Sequence, residues 1–198
     1  MEQNQPSNGN NQQDINLTAM PTPNPNTIKF LMSFQFLPMG SIEFTSDRDN
    51  QGSPIVTRLL EIDGIERILI GTNFISVSKH TDAGWDTVLD PATAIIKSMV
   101  GVETPLIDQT LIDAISDSMA DDDAVVKRIR EILDNEIRPA IAMDGGDCQL
   151  LSFVDGIVTL QLQGACSSCP SATMTLKMGI ENRLKEEIPE VVEVVQSI

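Results

Sequence analysis

The sequence predicts an α+β chain made of two small α/β domains, and three observations predict it. Runs of strand length alternate with stretches at helical spacing in both halves. An Asp155-Gly156 pair splits two alternating apolar runs, the strongest local signature of a β-hairpin. Residues 108–123 hold 6 acids and no base, a solvated stretch between the halves. A chain of 198 residues has room for two such domains.

Residues 1–20 are rich in Asn and Gln and carry Pro6, Ser7 and Gly9, the composition of a disordered tail. The first domain is expected over residues 21–107. Thr27–Ser33 and Ser41–Ser46 read as strands, and Ile55, Val56, Leu59, Leu60 and Ile62 suit a short helix over Pro54–Ile62. After an Asp63-Gly64 turn, Glu66–Ile70 and Phe74–Lys79 read as a strand pair joined by Gly71, Thr72 and Asn73. A last helix containing Ala94, Ile95, Met99 and Val100 is expected to open with Asp90 as N-cap and Pro91 in its first position. Residues 108–123 are expected as an extended acidic linker. A solvated helix competes there, because Leu111, Ile112 and Ile115 keep some periodicity.

The second domain is expected over residues 124–198, as helix, β-hairpin, Cys-x-x-Cys loop and helix. Val125, Ile129, Ile132, Leu133 and Ile137 predict an amphipathic helix over Ala124–Arg138 that Pro139 ends. Asp144 to Asp147 form a loop, Cys148–Val154 and Ile157–Gln163 form the hairpin, and Leu176, Ile180, Leu184 and Ile188 mark a helix over Pro170–Ile188. Val191–Val195 adds a short strand. A two-residue turn sets Val154 opposite Ile157 and Cys148 opposite Gln163. Cys148 then lies on the face of Ser152, Thr159 and Gln161, away from an apolar face of Leu151, Phe153, Val158, Leu160 and Leu162. It reads as a small strand residue, not a ligand.

Charge and cysteine usage narrow the function classes. The net charge is −16, divided as −6 over residues 1–107, −6 over 108–123 and −4 over 124–198. With no basic segment, neither a nucleic-acid backbone nor an anionic membrane surface finds an electrostatic footprint. No run of about 18 apolar residues occurs. The three cysteines all fall in the last 51 residues, a poor disulfide framework. Residues 1–20 lack the apolar stretch of a secretory leader, and the first basic residue is Lys29, unlike an Arg-rich transit peptide. A reducing, cytoplasmic setting is the expectation, with a processed organellar matrix protein as the alternative.

The chemistry concentrates in Gly164-Ala165-Cys166-Ser167-Ser168-Cys169-Pro170, between hairpin and helix. The Cys-x-x-Cys spacing lets two sulfurs serve one metal centre. Pro170 in the first helical position puts Cys169 near the N-cap, where free N–H groups favour thiolate. No charged side chain occurs from Gly164 to Leu176. One chain offers only two ligands here, and a symmetric dimer supplies four, which suits a 4Fe-4S cluster or tetrahedral zinc. Thiol–disulfide exchange on Cys166 and Cys169, or a structural zinc-bridged dimer, are the alternatives. Other candidates read blandly. His80 is an exposed polar residue, Trp85 a packing anchor, and Met174 and Met178 serve core or dimer packing. Gly145-Gly146 is a turn, the acids at 121–123 lack the spacing of a calcium loop, and Ser167 and Ser168 have no His nearby for hydrolysis.

The chain resembles the Nfu-type, NifU-like iron–sulfur scaffold proteins across about residues 18–198. The resemblance rests on Thr22–Phe30 (TPNPNTIKF), Leu59–Lys79, Trp85, Met143–Asp147 (MDGGD) and Gly164–Glu181 (GACSSCPSATMTLKMGIE). It implies a Nfu-type N-terminal domain followed by a NifU-like domain. It further implies that Cys166 and Cys169 ligate a 4Fe-4S cluster shared between two subunits, received from an upstream assembly scaffold and delivered to apo-proteins without enzymatic turnover. Cys148 is not carried over as a ligand. The first domain has no cysteine, and the resemblance leaves it a recognition role.

Overall fold

The computed structural model describes residues 16–46, 53–100, 106–117, 123–167 and 170–197. Its first half is a five-stranded antiparallel sheet of β1 (Leu17–Pro21), β2 (Thr27–Met32), β3 (Ile42–Thr45), β4 (Ile65–Ile70) and β5 (Phe74–Lys79), in the order β1-β2-β5-β4-β3. Helices α1 (Pro54–Leu60) and α2 (Trp85–Met99) belong to the same half. Phe30, Ile68, Ile70, Ile75 and Val77 of the sheet enclose a core with Ile55, Leu59, Val88, Ala92 and Ile96 of the helices. Alternation along β4 and β5 turns Leu69 and Ser76 to the opposite face, yet both are fully buried. The second domain covers them.

Three elements of this half differ from expectation. Residues 17–20 are not tail: β1 pairs with β2 from Leu17 opposite Met32 to Pro21 opposite Ile28. Its side chains are largely exposed, so backbone hydrogen bonds hold this edge and hydropathy carries no sign of it. Residues 1–15 of the expected tail lie outside the described residues. The last helix starts at Trp85 behind Gly84 rather than at Pro91 behind Asp90. Val88, Ala92 and Ile96 form one buried stripe four residues apart, and burying it outweighs the N–H that Pro91 lacks. The expected extended linker is part helix, α3 (Gln109–Asp117). Leu111 and Ile112 pack against the first core behind buried Leu106 and Ile107, so tertiary contact overrides acidic composition. Residues 118–122 of that linker fall outside the described residues.

The second half begins with α4 (Ala124–Ile132), whose N-cap Asp123 accepts hydrogen bonds from Val125 N and Val126 N, both at 2.9 Å. Pro139 does not end this helix. A π-helical turn, Leu133–Ile137, widens it, and α5 (Arg138–Met143) carries on with Pro139 in its first turn. The hairpin of β6 (Gly146–Val154) and β7 (Ile157–Gly164) turns on Asp155 (φ 51°) and Gly156 (φ 81°), the paired left-handed residues of a type I′ turn. After α6 (Pro170–Glu187), β8 (Glu193–Gln196) pairs parallel to β7. Ile129, Ile132, Leu133 and Ile141 pack with Ile180, Leu184, Val158, Leu160 and Leu162 in a second core. Among the described residues no helix is long and apolar enough to cross a membrane.

The hairpin register departs from expectation at one place. Val154 faces Ile157 as expected, but a bulge between Leu150 and Ser152 shifts the pairing, and Cys148 faces Leu162 instead of Gln163. The extra residue moves Cys148 and Leu150 into the core and leaves Leu151 46% exposed.

Candidate functional site

Cys166 sits on the turn that leaves β7, half-buried against the second core. The Ala165 N–H donates to Gly145 O at 3.2 Å, and the Ser167 N–H and Oγ both donate to Gly164 O, at 3.2 and 2.8 Å. From α6, Thr173 Oγ1 donates to Cys166 O at 2.9 Å, so the helix grips the loop backbone. Two glycines permit the close packing here. A Cβ on Gly146 would fall 2.5 Å from Cys166 Sγ, so the sulfur lies against bare backbone. Gly164 has φ +62°, and its Cβ would fall 2.6 Å from Leu69 of the first domain.

Cys169 and Ser168 lie outside the described residues. The helix α6 begins with Pro170, one residue beyond Cys169, in agreement with the expected N-terminal position. The residues present suit a thiolate-bound cargo: Cys166 is neither sealed in the core nor fully exposed, and the loop brings no carboxylate or amine to compete for it. Among the described residues no group of three or more His, Cys, Asp or Glu gathers as a metal site.

The third thiol is set apart. Cys148 is 1% exposed, and burial, with the Asp147 carboxylate next, pushes its pKa up to about 12. The thiol therefore stays protonated in the fold. The stability tied to that burial is fully present below pH 9.0, the ordinary thiol value, and drains away as pH rises toward about 12. Two results are expected. Cys148→Ala retains full iron content after reconstitution, measured by metal counting. In the native chain Cys148 is the last thiol alkylated by iodoacetamide, read by peptide mass spectrometry.

Beside Cys166 an apolar groove of about 550 Å³ runs between the π turn with α5 and α6, lined by Ile137, Ala140, Ile141, Leu176 and Ile180. The Glu136–Arg183 ion pair, at 2.6 Å, lies on its rim. Met174 and Met178 are 61% and 59% exposed, so within one copy they are not core residues. His80 is exposed as expected. Trp85 anchors packing as expected, donating from Nε1 to Pro25 O at 2.9 Å while its ring packs against the first core.

Sequence reading missed the residues that reach the loop from the first domain. Asn24 Nδ2 donates to Ala165 O at 3.1 Å. The Glu43 carboxylate accepts from the Gly164 N–H at 2.7 Å, and Arg67 donates to Ser167 Oγ. These partners are 141, 121 and 100 residues apart, so no local pattern could have announced them. It also missed Asp147, assigned to a loop over Asp144 to Asp147. Asp147 takes a bidentate hydrogen bond from Arg138 (2.8 and 2.7 Å), a third from the Cys148 N–H (2.8 Å) and one from Ser41 of the first domain. Burial opposes the charge on Arg138, but its bonds to Asp147 and Asp134 outweigh it and hold the guanidinium above its ordinary pKa.

Two family models match the chain in tandem: "Scaffold protein Nfu/NifU N terminal" over residues 17–102 and "NifU-like domain" over residues 129–195. Among curated proteins, the chain is similar to "NFU1 iron-sulfur cluster scaffold homolog, mitochondrial" of Drosophila ananassae. It is 38% identical over 176 residues, 88% of this chain and 62% of that protein. The protein of the same name from Drosophila persimilis is 37% identical over the same shares. The chain thus spans 62% of the length of these relatives. Among solved structures, a Staphylococcus aureus protein determined by X-ray crystallography is 34% identical, covers 40% of this chain and 94% of its own, and has a TM-score of 0.37.

Proposed function

The chain belongs to the Nfu-type, NifU-like family, an Nfu N-terminal domain followed by a NifU-like domain, and on that premise we propose that it is an iron–sulfur cluster carrier. It holds a 4Fe-4S cluster on Cys166 and Cys169 of two copies, receives it from an upstream assembly scaffold, and delivers it to apo-proteins. The observation that carries this reading is the placement of Cys166. It lies half-exposed on the turn between β7 and the 18-residue α6, in a Cys-x-x-Cys motif whose flanks from Gly164 to Leu176 bear no charged side chain.

The cluster is cargo, and the chain's task is to hold it and let it go. Two thiolates per copy fall short of the four that a cubane takes, so a two-fold pair of loops completes the set. Thr173 and Gly145 hold the backbone on either side of Cys166, by bonds to Cys166 O and from the Ala165 N–H. Transfer proceeds one thiolate at a time. A recipient thiolate bonds to an iron, the Cys166 or Cys169 sulfur leaves that iron, and the departing thiolate takes up a proton. This is ligand exchange without redox change or enzymatic turnover. Such thiols need a reducing compartment, the cytosol of the sequence expectation or one in the mitochondrion, the location that the relatives' names print.

Anaerobic reconstitution with iron and sulfide, followed by metal counting and size measurement, tests the reading. The expected product is a brown dimer with about four irons per two chains. A colourless dimer with one zinc, or a monomer with a reversible Cys166–Cys169 disulfide, would replace it.

A further inference from the structure

We infer that the first domain sets the geometry of the cargo loop, with Glu43 and Arg67 as positioning residues that act through Gly164 and Ser167 on Cys166. The loop has no charged side chain of its own, and the first domain supplies both signs. Glu43 and Arg67 lie on a diagonal across β3 and β4, where Glu43 pairs with Leu69 and Thr45 with Arg67, and their charged ends are 3.6 Å apart. The Glu43 carboxylate holds the Gly164 N–H at 2.7 Å, immediately before the turn. Arg67 holds the Ser167 hydroxyl, immediately after Cys166, and that hydroxyl in turn holds Gly164 O at 2.8 Å. Asn24 takes Ala165 O at 3.1 Å. Two adjacent backbone positions of the loop, Gly164 and Ala165, and the side chain next to the thiol are thus held by another domain.

The packing agrees with the hydrogen bonds. Leu69 is fully buried although it faces away from the first core, and it approaches Gly164 so closely that a Cβ there would lie 2.6 Å from Leu69 Cδ2. Both members of the Glu43–Arg67 pair keep limited exposure, 13% and 21% of their side chains, so the contact is shielded more than a surface ion pair is. A turn held at both ends keeps Cys166 in one orientation, whereas a free turn samples several. The first domain, which has no thiol of its own, therefore acts on cargo through the orientation of the second domain's thiol.

This inference deepens the carrier reading and rests on it for its meaning, yet its test does not need cargo. In the full apo chain, the alkylation rate of Cys166 by iodoacetamide is followed by peptide mass spectrometry. Glu43→Ala and Arg67→Ala are expected to raise it about tenfold, a change of about 1.4 kcal/mol. Glu43→Gln, which keeps an oxygen for the Gly164 N–H, is expected to stay at the native rate. Lys29→Ala removes a bond between the same two domains, to Ala142 O at 2.5 Å, that touches none of residues 164–167, and is also expected to stay there. Glu43→Ala at the native rate overturns the inference, as does Lys29→Ala as fast as Glu43→Ala, which would mark plain domain docking. Circular-dichroism melting of each variant confirms that both domains are folded. In reconstituted protein, Glu43→Ala is expected to change the visible circular-dichroism spectrum of the cluster. Failure of every chain to take up iron, with the alkylation pattern intact, would end the carrier reading and leave the positioning role standing.

Discussion

Cys166→Ala or Cys169→Ala is expected to lower the iron bound after reconstitution from about four per two chains to near none. Each substitution removes two of the four sulfur ligands proposed above, because both copies of the proposed pair carry it. The other described thiol does not stand in: Cys148 is sealed in the core and held as a thiol. The apo-fold should survive Cys166→Ala. Cys166 packs only at the edge of the second core, and its loop is held through backbone atoms and Ser167, all of which the alanine chain retains. Melting by circular dichroism, compared with iron counting on the same samples, separates loss of ligand from loss of fold. A double Ser replacement at 166 and 169 that still carried iron and sulfide would sink the proposal.

Asp147→Ala is expected to destabilise the second domain by about 3 kcal/mol. Asp147 is 6% exposed and accepts from both ends of the Arg138 guanidinium, from the Cys148 N–H and from Ser41. Alanine would leave a half-buried arginine with Asp134 as its remaining partner at 2.8 Å, and would leave the Cys148 N–H without its acceptor. A cost at the lower end of the range for broken buried pairs follows from that surviving ion pair. For a domain of this size the melting point should fall by roughly 12 °C or more. Asp147→Asn keeps an acceptor for the backbone N–H and should fall between the two. An unchanged melting point for the alanine chain would mean that Asp147 is no anchor.

The hairpin shows how far local chemistry reaches. Asp155-Gly156 specifies a turn that needs two left-handed residues, and the structure has them there. The same segment shows where it stops. The bulge at Leu150–Ser152 is chosen by the fit of Cys148 and Leu150 into a core built from α4 and α6, which alternation counted from the turn does not contain. Pro139 and Pro91 teach the same lesson. Each forbids one hydrogen bond locally, and each is absorbed because the apolar stripe around it gains more from burial than that bond is worth.

By itself the sequence determined what nearby residues impose on one another: the strand and helix order apart from β1, α3 and the continuation past Pro139, the hairpin turn, the helix start at Pro170, and the pair of thiols with two residues between them. These depend on backbone sterics and on periodicities of two and 3.6 residues, which any short window displays. Tertiary structure alone decided that Cys148 is buried, that acidic residues 109–117 are helical, and that Glu43, Arg67 and Asn24 hold the loop of Cys166. Those outcomes are set by contacts between positions a hundred or more residues apart or by packing against a finished core. Their free energies exist only once both partners have folded.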